Sequence, residues 1–416
     1  MTIRRQPEDF AVTERPMPAF LAALSPSRSG EAPHAVYELT KRSLATPEAT
    51  GMFGRAVGVG GGRVDYAGLK DKHARTVQMV SVEPGDGRVP RQVDDRGWSA
   101  RLLGWSGMPV TAECIEGNRF EIVVRDLSKA ACNEMDHRAG LLRSGGSLLV
   151  MNYFGAQRFG SARHGQGFIG PRLIKGEFEG ALRLAIGTPA RKDTGKTRAF
   201  TRACARHWGE WQRLATELPR CPERRAIETL AAGGSFAQAF AALPHFTQQM
   251  AVEAYQSHIW NATARRLAQR IVGDAAIGEL AKMPEGPGRV RPLAALRAND
   301  DFGPMLFPPA VAVGEAWPHA HMPVLGPRTE LVAPWGVEAA AVLEEEGIRQ
   351  EDLGIPGFRR PYFGEANRAL FVIAEGFEMT PPEQDEMGSP KAHKRTLRFA
   401  LGRGAYATVV LRALGQ

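Results

Sequence analysis

The chain opens on a loosely alternating stretch, Ile3 to Glu14, that predicts a strand after a short basic start. A second strand is predicted at Val36–Leu39. Thr46 to Val59 reads as a helix, with Thr46 as its N-cap and Pro47 at its first position. The glycines 60–62 would end it. Val64–Gly68 and Thr76–Val82 read as strands around a polar loop, Leu69–Ala74, and residues 84–98 read as another loop. Between Asn118 and Val124, Phe120, Ile122 and Val124 alternate with Arg119, Glu121 and Val123, the period of a strand with one buried face. Leu127–Leu142 reads as a helix. Short strands and helices without a regular βαβ rhythm predict an α+β fold with a mixed, mainly antiparallel sheet.

After Gly160 the pattern changes. Residues 163–245 are rich in Ala, Arg and Leu at helical spacing, and Thr247–Ile271 predicts a long amphipathic helix. Prolines punctuate residues 281–336, which predicts irregular structure. Ala339–Glu351 reads as an acidic helix and Arg368–Glu378 as one strand. Pro381–Pro390 reads as a polar loop. Thr396–Leu401 and Tyr406–Leu411 read as a hairpin around Gly402-Arg403-Gly404. A helical middle between strand-rich ends predicts one domain inserted into another.

With 416 residues the chain is long enough for two or three domains, and 43% hydrophobic with 24% charged residues is ordinary for a globular protein. The net charge of +8, carried with few lysines, favours a polyanionic partner, nucleic acid first. Cys114, Cys132, Cys204 and Cys221 form no CxxC and have no histidine cluster beside them, so no zinc site is expected. No apolar stretch has the length of a signal core or a membrane span, and a cytoplasmic protein is expected. Gly58, Gly60, Gly61 and Gly62 do not make a dinucleotide loop, because the order breaks at Arg63 and they follow a helix where they should open one. A nucleotide-dependent enzyme is thereby disfavoured.

The stretch Tyr66-Ala67-Gly68-Leu69-Lys70-Asp71-Lys72-His73-Ala74-Arg75-Thr76-Val77-Gln78 holds a carboxylate between two lysines in a loop entered through glycine. Flanking ammonium groups favour the ionised acid that a nucleophile requires. Taken alone, such a triplet is more often a solvated loop. Three further segments change that balance: Gln6-Pro7-Glu8-Asp9-Phe10, Gly117-Asn118-Arg119-Phe120, and Asn152-Tyr153-Phe154-Gly155-Ala156-Gln157-Arg158-Phe159-Gly160. In this order and across almost the whole chain, they resemble the motifs of the TruD-type tRNA pseudouridine synthases. Ala254-Tyr255-Gln256-Ser257 and Gly404-Ala405-Tyr406-Ala407-Thr408 are weaker echoes.

The resemblance implies an isomerase that converts uridine to pseudouridine in tRNA, at uridine 13, without a cofactor. Asp71 would be the catalytic carboxylate, acting on a uracil taken out of its stack. Phe120 would stack on that base, Asn118 would bond its polar edge or fix the Asp71 loop, Phe10 and Tyr406 would line the pocket, and Lys70 would stand beside the substrate. Arg4 falls where relatives often carry lysine, a change that keeps charge and alters shape. Asn152, Gln157 and Arg158 would hold the Asp71 loop. Read from the residues alone, Phe120 is core, Asn118 a turn residue and Tyr406 a cover for the sheet.

Among the basic stretches, Lys391, Lys394, Arg395 and Arg398, with Arg403, are the candidates for RNA phosphates. Arg191, Lys192, Lys196, Arg198, Arg202 and Arg206 are a weaker set, and Arg359-Arg360 either anchors a loop or faces the substrate. Protection of an edge strand, or a solvated helix face, is the alternative for each set. The expected organisation is a catalytic domain from residues 1–160 and 349–416 with a TRUD-type domain inserted at 161–348, RNA lying between them. The expected partner is tRNA, the expected state a monomer, with no metal, nucleotide cofactor or membrane. The competing readings are another RNA target, or a non-catalytic RNA-binding protein on the same scaffold. Intact Lys70-Asp71-Lys72 argues against the latter.

Overall fold

The structure, a computed structural model, describes residues 2–59, 63–85, 89–155, 158–162, 165–190, 193, 195–281, 320–333 and 335–415. The chain divides into two compact units, Met1–Val150 with Val372–Gln416, and Met151–Phe371. The expected boundaries at 160/161 and 348/349 both fall inside the second unit. Gly60–Gly62, and most of the proline-rich stretch 281–336, lie outside the described residues.

The described residues hold the strands β1 (Phe10–Pro16), β2 (His34–Arg42), β3 (Val64–Tyr66), β4 (Arg75–Val82), β5 (Gln92–Asp95), β6 (Trp98–Ser106), β7 (Ile115–Leu127), β8 (Arg143–Ser144), β9 (Ser147–Met151), β10 (His321–Val324), β11 (Ala366–Ala369), β12 (Phe371–Met379), β13 (Glu383–Gln384) and β14 (His393–Gly402). Twelve of them form one sheet in the order β5-β6-β2-β4-β1-β7-β14-β12-β9-β8, with β3 on β4 and β13 on β14. β1 and β4 run parallel. The pairs β1–β7, β2–β4, β2–β6 and β7–β14 are antiparallel. The central strands thus come from both ends of the chain, and β14 inserts between β7 and β12.

The helices of the first unit are α1 (Pro18–Ala22), α2 (Thr46–Ala56) and α3 (Lys129–Leu142). Ser128 caps α3 by accepting from the Ala131 amide at 3.1 Å. The second unit carries α4 (Gly170–Ile174), α5 (Phe178–Ile186), α6 (Gly195–Arg206), α7 (Trp211–Glu217), α8 (Arg224–Ala231), α9 (Phe236–Ala241), α10 (His245–Ala281) and α11 (Trp335–Glu345), and a small sheet of β10 with β11. α12 (Ala407–Ala413) returns to the first unit.

Four sequence expectations are corrected. The second arm of the C-terminal hairpin is helix α12, because Val409, Val410, Leu411 and Ala413 are all buried there and packing overrides the strand preference of Thr-Val-Val. The stretch Arg368–Glu378 is two strands, broken at Leu370, that belong to different sheets. The loop at 84–98 contains β5, and β6 follows it. α10 is buried all round at Ala254–Arg265 rather than amphipathic. Its polar side chains find partners: Trp260 Nε1 donates to Met322 O, and Asn261 bonds both the amide and the carbonyl of Phe154.

Candidate active site

The register places Phe10, Val12 and Glu14 of β1 opposite Ile122, Phe120 and Asn118 of β7, and Phe120 opposite Phe399 of β14. Opposed residues share a sheet face, so Phe10, Glu14, Asn118, Phe120 and Phe399 project to one side. Gly117 is required where it stands: a Cβ there would lie 2.0 Å from the carbonyl oxygen of Leu401 on β14. Phe120 stacks on Phe399 at 5.5 Å and meets Phe10 edge-on at 6.2 Å. It is 7% exposed, so packing holds its ring firmly. Asn118 Oδ1 is buried and has no hydrogen-bond partner among the described residues.

The Asp71 loop is held over this surface from several directions. The Thr46 hydroxyl accepts from the Lys70 amide at 2.9 Å and donates to Gln78 Oε1 at 3.1 Å. Thr46 is therefore the first residue of α2, with Ala45 at the N-cap position, and its side chain is spent on the loop. Lys41, fully buried, donates from Nζ to the carbonyls of Asp71 at 3.0 Å and Leu44 at 2.7 Å. Burial pulls the Lys41 ammonium down to about 8, against the Asp71 charge that raises it and with Lys70 adding to the fall. Asp71 Oδ1 accepts from the His73 amide at 2.9 Å. The cation on its carboxylate is Arg4, with Nη2 2.8 Å from Oδ2. Arg4 also lies over the Phe10 ring at 4.3 Å. Its φ of 67° is the left-handed region, a conformation that disfavours a side chain of this size and marks a position held by its surroundings.

Lys70 does not stand beside Asp71. Its Nζ turns inward to Glu14 Oε1 at 2.5 Å, with the two side chains 9% and 2% exposed. Glu14 Oε2 also accepts from the Met79 amide at 2.7 Å, just past the end of the β1–β4 ladder at Thr13 and Val77. Burial raises the Glu14 carboxyl, and the Lys70 charge and the two hydrogen bonds oppose that rise. Sequence reasoning passed over Glu14 and Lys41. The signal was available: Glu14 keeps step with Phe10 and Val12, and Lys41 with Tyr37 and Leu39, so each charge falls on a buried face.

Residues 1–414 match the family profile described as TruD, tRNA pseudouridine synthase D. The chain belongs to the TruD family. Its enzymes are isomerases by description. Similar proteins include "tRNA pseudouridine synthase D" of Aquifex aeolicus, 27% identical over 99% of this chain and 97% of that one. "Probable tRNA pseudouridine synthase D" of Thermococcus onnurineus is 29% identical over 99% and 94%. The crystal structure of a Methanosarcina mazei protein assigned to the same family superposes with a TM-score of 0.73 at 24% identity, covering 99% of this chain and 93% of that one, a likeness of fold.

The remaining TruD motif positions are distributed as follows. Tyr406 precedes α12 and is 60% exposed. Asn152 and Arg158 lie in the second unit: Arg368 donates to Asn152 O and Oδ1, Asn152 Nδ2 donates to Ala369 O, and Arg158 pairs with Glu253. Gln157, Arg191 and Lys192 lie outside the described residues. Lys196, Arg198, Arg202 and Arg206 are exposed on α6. Of the four C-terminal cations, Arg395 is corrected: it is 4% exposed and binds Asp136 at 2.8 Å and the carbonyl of Cys132 at 3.3 Å. Lys394 pairs with Glu386 at 2.7 Å and Arg398 with Glu121 at 2.8 Å, while Lys391 is exposed.

The Asp9 of the N-terminal motif has a structural task. It binds Arg125 at 2.9 Å, and Arg125 also binds Asp385 at 2.8 Å and Glu386 at 3.1 Å, which ties the entry to β1, the strand β7 and the turn after β13 together. Among the described residues no group of three or more His, Cys, Asp or Glu could hold a metal, and no helix is long and apolar enough to cross a membrane.

Proposed function

We propose that this chain isomerises uridine 13 of tRNA to pseudouridine, in the cytoplasm and without a cofactor, with Asp71 as nucleophile and the uridine flipped out of its stack. The supporting observation is the Asp71 carboxylate, fixed by Arg4 at 2.8 Å and set in a loop anchored by Thr46 and Lys41. A carboxylate oxygen bonds to C1′ as the N1–C1′ bond breaks, and its electron pair leaves with the uracil. The freed uracil turns, C5 bonds to C1′, and the carboxylate departs. The C5 proton is lost and N1 gains one, so the change is an isomerisation. Phe10 and Phe120 supply the apolar floor for the base. Asn118 Oδ1, buried with no partner among the described residues, accepts from the uracil N3–H. Arg4 aims the carboxylate for the first displacement and meets the charge it regains on departing in the second.

The test is pseudouridine mapping on unmodified tRNA treated with the purified protein, with Asp71→Asn run in parallel. A new pseudouridine at position 13 made by the wild type alone is the expected result. Product at another position would move the target. Product from a well-folded Asp71→Asn enzyme would remove Asp71 from its role.

A further inference from the structure

The second unit contains a pocket of about 370 Å³, the scale of a small-ligand site. Its walls are built to keep their shape. Gln256, buried, donates from Nε2 to the carbonyls of Leu325 and Gly364, both at 2.8 Å. The Thr329 hydroxyl donates to Glu365 Oε2 at 2.7 Å. The Arg368 guanidinium carbon lies over the Phe154 ring, 3.9 Å from its centre. At the rim stands Tyr362, 58% exposed. Its ring lies so close to Gly364 that a Cβ there would come 3.1 Å from Tyr362 Cε2.

The charges identify the occupant. Arg158 and Arg368 are matched within the lining by Glu253 and Glu365, so the pocket offers no net pull on an anion. It offers donors and acceptors beside aromatic and guanidinium planes, the surfaces that unstacked bases use. The cations suited to phosphates are outside it: Arg359 and Arg360, both exposed, precede Tyr362 in the chain. A neutral heterocycle on an anionic backbone fits this division.

We propose that the pocket receives one unpaired nucleotide of the substrate RNA, other than the uridine that reacts, with its base against Tyr362. The proposal rests on the tRNA-modifying function above. The base enters beside the Tyr362 ring and its polar edge meets Asn367 and Glu365, while Arg359 and Arg360 meet the flanking phosphates. The pocket would thereby contribute to the choice of RNA.

The experiment uses the full chain carrying Asp71→Asn, so that binding is read without turnover, with and without Tyr362→Ala. Two quantities are measured with unmodified tRNA: the Kd, and the protection of each unpaired base from a base-reactive chemical probe. Tyr362→Ala should raise Kd about 10-fold, as loss of one base–aromatic stack does, and should expose one base outside the target position. Tyr362→Phe should restore both. An unchanged Kd, or an unchanged protection pattern, overturns the proposal. Absence of tRNA binding altogether overturns it together with the functional reading. Binding and protection as expected, with no pseudouridine formed by the Asp71 enzyme on the same tRNA, overturn the functional reading alone.

Discussion

Arg4 Nη2 stands 2.8 Å from Asp71 Oδ2 while the same guanidinium covers Phe10 at 4.3 Å. One side chain thus aims the carboxylate and packs against the aromatic floor. Arg4→Ala is expected to lower single-turnover pseudouridine formation about 100-fold, the usual loss for one pre-oriented electrostatic partner. Arg4→Lys keeps charge and gives up the planar fork, so it should fall between. Equal rates for all three proteins would remove Arg4 from the reaction.

Lys41 gives a pH dependence with a definite sign. Its folded value, about 8, lies below the 10.5 of an ordinary lysine, so the folded state binds fewer protons between those values. Stability therefore rises with pH through that window, and the burden of the buried charge is complete below about 8. Activity should run the other way. As pH rises through about 8, the cation bonded to the Asp71 carbonyl is lost and kcat/KM should fall. Lys41→Arg should carry this alkaline limb upward. A pH–rate profile unchanged by that substitution would assign the limb to another group.

The Lys70–Glu14 pair is a structural element, although Lys70 is the neighbour of Asp71 in sequence. Lys70→Met leaves Glu14 buried without its partner, and such a loss costs about 3–5 kcal/mol. Lys70→Met with Glu14→Gln should recover part of it. Urea denaturation decides the matter: a midpoint for the single variant equal to the wild type would show that Lys70 holds nothing in place.

Arg395 and Lys391 should separate in the same way. Arg395→Ala removes a buried side chain that binds the Cys132 carbonyl and the exposed Asp136, and is expected to destabilise by about 1–3 kcal/mol. Lys391→Ala should leave stability within about 0.5 kcal/mol and reduce the salt dependence of tRNA binding by about one unit of slope. Thermal melts and tRNA affinities at several salt concentrations check both.

Much of the fold could be read before the structure. The alternation in β7, the glycine-entered Asp71 loop and the helical middle each obey a local rule. The errors share a cause, since a single strand of text does not show which partner a charge will meet. Arg395 has the parity of Leu397, Phe399 and Leu401, and so belongs to the buried face of β14; its charge concealed this. Lys70 reads as a companion to Asp71 until Glu14 is seen to face it from β1. The stretch across Leu370 shows no break in the sequence, yet its two halves pair in different sheets.

The place of β14 in the sheet bears on how the protein comes into being. Glu121 on β7 and Arg398 on β14 are 277 residues apart in sequence, and Phe120 needs Phe399 behind it. While the chain emerges from the ribosome, β7 presents an open edge and its aromatic ring lacks support until nearly all of the protein has been synthesised. Folding of the twelve-stranded sheet must therefore be a late, long-range event, slow by its topology. Until then the exposed edge is open to pairing with other chains. A polypeptide released before β14 would hold every residue that touches Asp71 and still lack Phe399, the ring stacked on Phe120.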